Sequence, residues 1–269
     1  MASAAVGGLL ALGVVTTAPA SADASLDRVL TQRNLVVAVA LNAPWVLKRP
    51  DGSLAGYDID IARALAKDLG VEARFVEMPF GNLVSGVAAG EADMGAAGLA
   101  ITPERARAVV FSAPVGLTVV RTVAVRGSKG AMPADGAGRT IAVLAGSLDE
   151  AAARASYPKA KLLPFADSAQ ALAALVDGRA DALVAKSPVP RMAARIYGGR
   201  FELTGTPLTK TAEALALRPD DVRLQRYVDN WIEARKVDGF LANLRQHWFV
   251  RFDWINEMQV GTKAAKASK

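Results

Sequence analysis

The sequence predicts an α/β protein built as two similar lobes. Three observations carry this. Short apolar runs of strand length alternate with segments of helical periodicity, the pattern of parallel βαβ units. The alternation runs through residues 35–97 and starts again over 140–185. One tetrapeptide pattern also returns at the same helix-to-strand joint in each half, as Gly90-Glu91-Ala92-Asp93 and Gly178-Arg179-Ala180-Asp181.

Residues 1–22 stand outside that pattern. They carry no charge and hold an apolar stretch, Val6–Val15, followed by Pro19 and Ala20-Ser21-Ala22. An apolar core before small residues is the layout of a secretory signal peptide, with cleavage expected after Ala22. Gly7, Gly8, Gly13 and Pro19 argue against a spanning helix. No Cys follows, so the expectation is an exported, periplasmic protein without a lipid anchor.

In the first lobe, Leu35–Leu41 reads as a strand buried on both faces. Asp58–Leu69 reads as a helix: Ile61, Leu65 and Leu69 recur every four residues, Asp58 and Asp60 suit its positive start, and Gly70 ends it. Arg74–Met78 is a strand, Asn82–Ala89 a helix and Asp93–Ala97 a strand. The second lobe repeats the order: strand Thr140–Leu144, helix Leu148–Ser156, strand Leu162–Phe165, helix Ser168–Asp177, strand Asp181–Ala185. Thr118–Arg126 and Thr211–Leu217 read as strands crossing between the lobes. Val222–Arg251 is helical, with Trp231, Trp248 and Trp254 expected in the core and His247 structural or exposed. The expected division is lobe 1 from 23–124 and 215–260, lobe 2 from 125–214, and a basic tail over 261–269.

Composition removes whole classes of chemistry. The 269 residues are 52% hydrophobic, enough for a full core. There is no Cys and His247 is the one His, so disulfides, thiolate nucleophiles and multi-His metal sites are excluded. No cofactor and no metal is expected. The net charge of +6 comes from basic residues scattered singly, dense only at Lys263, Lys266 and Lys269. No nucleic-acid motif is present, so nucleic acid is not the expected partner; a basic surface with a cleft fits an anionic small solute equally well.

Several fragments, in order, resemble the extracytoplasmic solute-binding proteins of polar-amino-acid ABC importers (bacterial solute-binding protein family 3). They are Ala43-Pro44-Trp45, Gly56-Tyr57-Asp58 and the following Ile59–Ala62, Gly90–Asp93, Ile101–Arg105, Phe111–Pro114, Ala145-Gly146-Ser147 and Gly178–Asp181. The resemblance spans Leu26 to Arg251. It implies the type II periplasmic-binding-protein fold: two α/β lobes joined by two hinge strands, closing around a small solute. It also implies a membrane permease as partner and a monomer that delivers solute to it.

Site residues follow from both sources. Thr102-Pro103-Glu104-Arg105 has the residue order of a helix start, placing Arg105 in the first turn beyond a strand end, where open α/β sheets bind ligands. The resemblance makes Arg105 the clamp on a ligand carboxylate, a task suited to guanidinium. Ser147-Leu148-Asp149-Glu150 is a capping box after Gly146, offering backbone N–H groups to an anion; capping alone would also explain Ser147. Trp45 and Phe80 lie after strands, where family aromatics wall the pocket; core packing is the alternative. Asn42 stands where many relatives carry an aromatic.

Counting from the repeated motif, Gly98 and Lys186 lie at equivalent strand ends, each five residues beyond its aspartate. Amino-acid binders in the family usually carry Asp at the Lys186 position, paired with the ligand ammonium. A Lys there repels an ammonium by about 4 kcal/mol at 4 Å and an effective dielectric of 20. Gly98 and Ala100 also lack hydroxyls that relatives use. The expected solute therefore bears a carboxylate and lacks a free α-ammonium, or offers Lys186 a second acid; alternatively Lys186 turns out of the cleft. Rival functions are a cyclohexadienyl-dehydratase-like enzyme, whose acid after the Lys186 segment is missing here, and a non-transport extracytoplasmic partner or sensor.

Overall fold

The computed structural model describes residues 24–127, 132–197, 199–252 and 254–255. The expected signal peptide and basic tail lie outside them. Among the described residues, no helix is long and apolar enough to cross a membrane.

The described residues begin with α1 (Ala24–Gln32) and β1 (Asn34–Val39), then a small hairpin of β2 (Leu47–Lys48) and β3 (Leu54–Ala55). Next come α2 (Tyr57–Asp68), β4 (Glu72–Glu77), α3 (Leu83–Ala88), β5 (Met94–Gly95) and β6 (Val110–Phe111). β7 (Gly116–Val125) leads into β8 (Thr140–Leu144), α4 (Leu148–Ser156), β9 (Lys161–Phe165), α5 (Ser168–Val176), β10 (Ala182–Lys186) and α6 (Pro188–Ile196). β11 (Phe201–Glu213), β12 (Ala216–Leu217), α7 (Val222–Val237) and α8 (Phe240–Arg245) complete it, followed by a π-helical turn over Gln246–Arg251.

Two five-stranded sheets result, ordered β4-β1-β5-β12-β6 and β11-β7-β10-β8-β9. In each, three strands run parallel and are joined by helices, as the alternation predicts. The apolar strands are buried as read: Leu35, Val37, Ala38 and Val39 have no exposed surface. α2 buries Ile59, Ile61, Leu65 and Ala66 against the sheet while Lys67 and Asp68 stay outside.

The repeated motif has a mechanical meaning. Asp93 accepts the Val36 N–H at 2.8 Å and its own N–H donates to Val36 O at 2.9 Å. Asp181 does the same with Thr140, at 2.9 and 2.8 Å. Each aspartate pins the start of its strand to the first strand of its half, so an acid recurs where the pattern would otherwise place a hydrophobe.

Some elements differ from expectation. β7 is a member of the second sheet over its full length, pairing with β10 and β11. The segment read as Thr211–Leu217 divides: Glu213 ends β11 in the second sheet, while β12 joins the first. The helix expected after Thr102 is a single 3₁₀ turn, Arg105–Arg107, with the Thr102 hydroxyl accepting the Arg105 N–H at 3.2 Å. Val109, buried behind it, and the β-branched start of β6 pull the chain into the sheet before a helix can propagate. The C-terminal helix breaks at Gly239 into α7 and α8. Its tryptophans are buried and satisfied as expected, the indoles of Trp231 and Trp248 donating to Asp68 and Asp60 at 2.7 and 2.8 Å.

Candidate functional site

The carboxyl ends of the parallel strands in the two sheets face each other. From the first sheet come the segments after β1 (Asn42, Trp45), β4 (Phe80) and β5 (Gly98, Ala100, Arg105). From the second come the segment after β8 (Gly146, Ser147) and the end of β10 (Lys186). The two sides touch. A Cβ on Gly146, whose φ is +69°, would lie 2.6 Å from Gly81 Cα, so any side chain there would push the halves apart.

Lys186 does not turn outward. Its side chain is 2% exposed, and its ammonium donates to Gly98 O on the opposite sheet. Glu213 Oε1 lies 3.4 Å from it and is itself 1% exposed. The ammonium also sits 4.5 Å from the centre of the Trp45 ring and 5.8 Å from that of Phe80, a cation–π geometry. The Trp45 indole donates to the other Glu213 oxygen at 3.1 Å, closing the arrangement. Gly98 makes this possible: its φ is +66°, its N–H donates to Asp58 at 2.6 Å, and a Cβ would fall 2.7 Å from the Trp45 ring.

Arg105 crosses the other way. Its guanidinium donates to Ala100 O at 3.1 Å on its own side and to Gly146 O at 3.3 Å across the cleft. It stands 5.6 Å from the centre of the Phe80 ring. Burial lowers its pKa, while Glu104 and Asp149 act in the opposite direction. Among the described residues no carboxylate lies within ion-pair distance of it. A groove of about 800 Å³ opens beside it, lined by Phe80, Arg105, Gly146, Ser147 and Arg154 among others.

The remaining expected residues are largely committed to structure. Asn42 is buried and donates to Ala97 O at 2.9 Å. The Ser147 hydroxyl donates to Leu144 O at 2.6 Å and accepts the N–H groups of Asp149 and Glu150 at 3.1 and 3.2 Å. Glu150 reaches back to the Gly146 N–H at 2.9 Å. The capping box is therefore present, and it uses internally the N–H groups that an anion would need.

Three buried carboxylates at the centre were not singled out from sequence: Asp58, Asp149 and Glu213. Asp58 and Asp149 read as ordinary acids of helix first turns. Glu213 had the stronger signal, an acid inside the apolar run Ala212–Leu217. Oδ1 of Asp58 and of Asp149 has no hydrogen-bond partner among the described residues. Burial pushes the Asp58 carboxyl up to about 7, against the pull of the Gly98 N–H; Glu213 adds to the rise and Lys186 opposes it. Burial likewise raises Asp149 to about 6, opposed by Lys186 and Arg105 and reinforced by Glu213.

A carboxyl whose folded pKa lies above its unfolded value of 3.8 takes up protons on folding. Its stabilising contribution is complete below that unfolded value and is lost as pH rises through about 7. Asp58→Asn, which mimics the protonated form, should therefore gain in melting temperature relative to the parent between pH 4.5 and 7.5. A gap that stays constant over that range would show that Asp58 is not buried in solution.

The comparisons with known proteins agree with this architecture. Residues 35–251 match the profile of the bacterial extracellular solute-binding proteins, family 3. A cyclohexadienyl dehydratase of Pseudomonas aeruginosa is 29% identical over 252 residues, covering 91% of this chain and 94% of that protein. An L-arginine-binding protein of the same organism is 33% identical over 216 residues, covering 77% and 83%. The crystal structure of an ancestral amino-acid-binding protein, a precursor of cyclohexadienyl dehydratase, superposes with a TM-score of 0.77 at 31% identity, covering 83% of this chain and 99% of that one. The two mixed sheets, with the chain passing between them after β6 and after β11, are the type II periplasmic-binding-protein fold. With its strand ends gathered at one cleft and its profile match running from β1 into the π-helical turn, the chain belongs to the bacterial extracellular solute-binding proteins, family 3.

Proposed function

We propose that the protein is the solute-binding component of an ABC importer, capturing a small carboxylate-bearing solute (an amino acid, a derivative or an organic acid) by lobe closure. The observation that carries this is Arg105. It is a part-buried guanidinium at the cleft, flanked by Phe80, and its cross-cleft partner is a neutral carbonyl that a carboxylate would outcompete. Closure would turn about the two places where the chain passes between sheets, 112–116 and 213–216. Relatives named as binding amino acids support the solute class. The protein would act outside the cytoplasm as a monomer, exported by residues 1–22, and deliver its solute to a membrane permease. Calorimetry of the purified protein against a panel of amino acids and organic acids tests this. No heat of binding from any member, with the protein folded, would overturn it.

A second reading, a dehydratase, is favoured by the name of one relative and by buried carboxyls of raised pKa beside Lys186. Turnover of prephenate or arogenate by the purified protein decides between the two.

A further inference from the structure

Lys186 belongs to the second sheet, yet apart from Glu213, at the end of β11 in that same sheet, its ammonium is received by groups of the first lobe. Gly98 O accepts from it, the Trp45 and Phe80 rings face it, and Glu213 neutralises it. The enclosed space beside it, bounded by Asn42, Trp45, Asp149 and Ser168 among others, is about 10 Å³. A single water needs roughly 10–15 Å³. A solute therefore cannot reach this point of the closed protein unless the ammonium leaves. Arg105 makes the reciprocal contact from the other side, to Gly146 O. The halves are thus held together by two of the protein's own cations resting on carbonyls across the cleft.

Building on the solute-capture reading, we propose that Lys186 is a tethered internal competitor: it fills the centre of the cleft in the solute-free protein, holds the lobes closed, and sets which solutes can replace it. Displacing it takes from the buried Glu213 the cation within ion-pair distance of its Oε1, which is unfavourable. A successful solute then brings a cationic nitrogen for Glu213 as well as a carboxylate for Arg105. Asp149, whose unpartnered Oδ1 is buried beside Lys186, is the second group available to that nitrogen. A carboxylate without a cationic nitrogen leaves the Lys186–Glu213 pair in place and binds only at the Arg105 groove. The organic acid lacking an α-ammonium, expected from the Lys186 position alone, thereby becomes the weaker ligand, because Glu213 already uses the lysine charge.

The absence of Cys makes the test direct, since one cysteine introduced on each lobe can be spin-labelled without background. Lys67→Cys and Lys161→Cys place the labels on exposed positions of the two lobes. Without solute, the labelled full chain should give a narrow, short distance distribution. Lys186→Met should add a longer, open population, and Lys186→Arg, which keeps the cation, should stay nearer the parent. Glu213→Gln, close to the parent in shape, should open like Lys186→Met and guards against a misfolded single variant. Calorimetry with L-arginine and L-glutamine, against succinate, should show at least about tenfold tighter binding of whichever amino acids the protein takes once Lys186 is Met, because the closed competitor no longer lowers the competent fraction. Succinate should change little. Identical distance distributions for the parent, Lys186→Met and Glu213→Gln would overturn the proposal. Opening without binding of any solute would leave the internal contact standing and remove the capture reading instead.

Discussion

Arg105→Ala is expected to weaken solute binding by about 30- to 5,000-fold while the protein remains folded. Truncating one member of a desolvated, hydrogen-bonded charge pair costs about 2–5 kcal/mol, and the Arg105 guanidinium is a part-buried cation at the cleft with no carboxylate within ion-pair distance among the described residues. Arg105→Lys keeps the charge and loses the two-pronged geometry, so it should recover only part of the affinity. Arg105 also has a structural role, through its bonds to Ala100 O and Gly146 O. The melting temperature of each variant must therefore be read beside its calorimetry. Arg105 turns on a 3₁₀ segment at the surface of its lobe, not inside a sheet, so a modest shift is expected. Solute affinity unchanged in a folded Arg105→Ala protein would remove Arg105 from the site.

Glu213→Ala should be the most damaging single change to stability at the cleft. It strips a buried ammonium of its counter-charge and the Trp45 indole of its acceptor. Breaking a buried pair by removing one partner costs about 3–5 kcal/mol. For a chain of this size that corresponds to a melting temperature lower by roughly 6–20 °C. Lobe opening would let water reach Lys186, so part of the cost can appear as opening and not as unfolding. Removing both charges is a different experiment. Lys186→Met with Glu213→Leu leaves no orphaned ion, and apolar replacements of buried pairs are often neutral. The double variant should recover at least half the loss. A Glu213→Ala protein melting within about 2 °C of the parent would mean that the pair is hydrated in solution.

The regular elements were legible because their causes are local. Leu35–Leu41 is apolar on both faces because its strand lies between helices. Ser147 and Glu150 cap α4 within one turn of chain. The repeated aspartates recur because each lobe closes the same backbone hydrogen bond. The helix expected after Thr102 fails for a complementary reason: good capping residues cannot propagate a helix that Val109 and β6 draw into the sheet. At the site, Arg105, Lys186, Trp45, Phe80, Gly98, Ala100, Gly146, Ser147 and Asn42 were all placed near strand ends, and the structure gathers them around one cleft. Their partners were not legible. Ser147 and Asn42 spend their polar groups inside their own lobes. Glu213, at the end of β11, shows in the sequence only as an acid within an extended segment.

Sequence alone determined the class of the protein: the α/β alternation, the duplication, the absence of cysteine chemistry, and a cation at each side of the cleft. Those properties depend on residues within a turn or a strand of one another, and such patterns survive in one dimension. Tertiary structure alone decided what the second cation does. Lys186 on β10, Glu213 ending β11, and Gly98 with Trp45 on the first lobe meet only when the two sheets face each other. The free energy of a buried charge depends on that meeting, because removal from water makes an ion either paired or prohibitive.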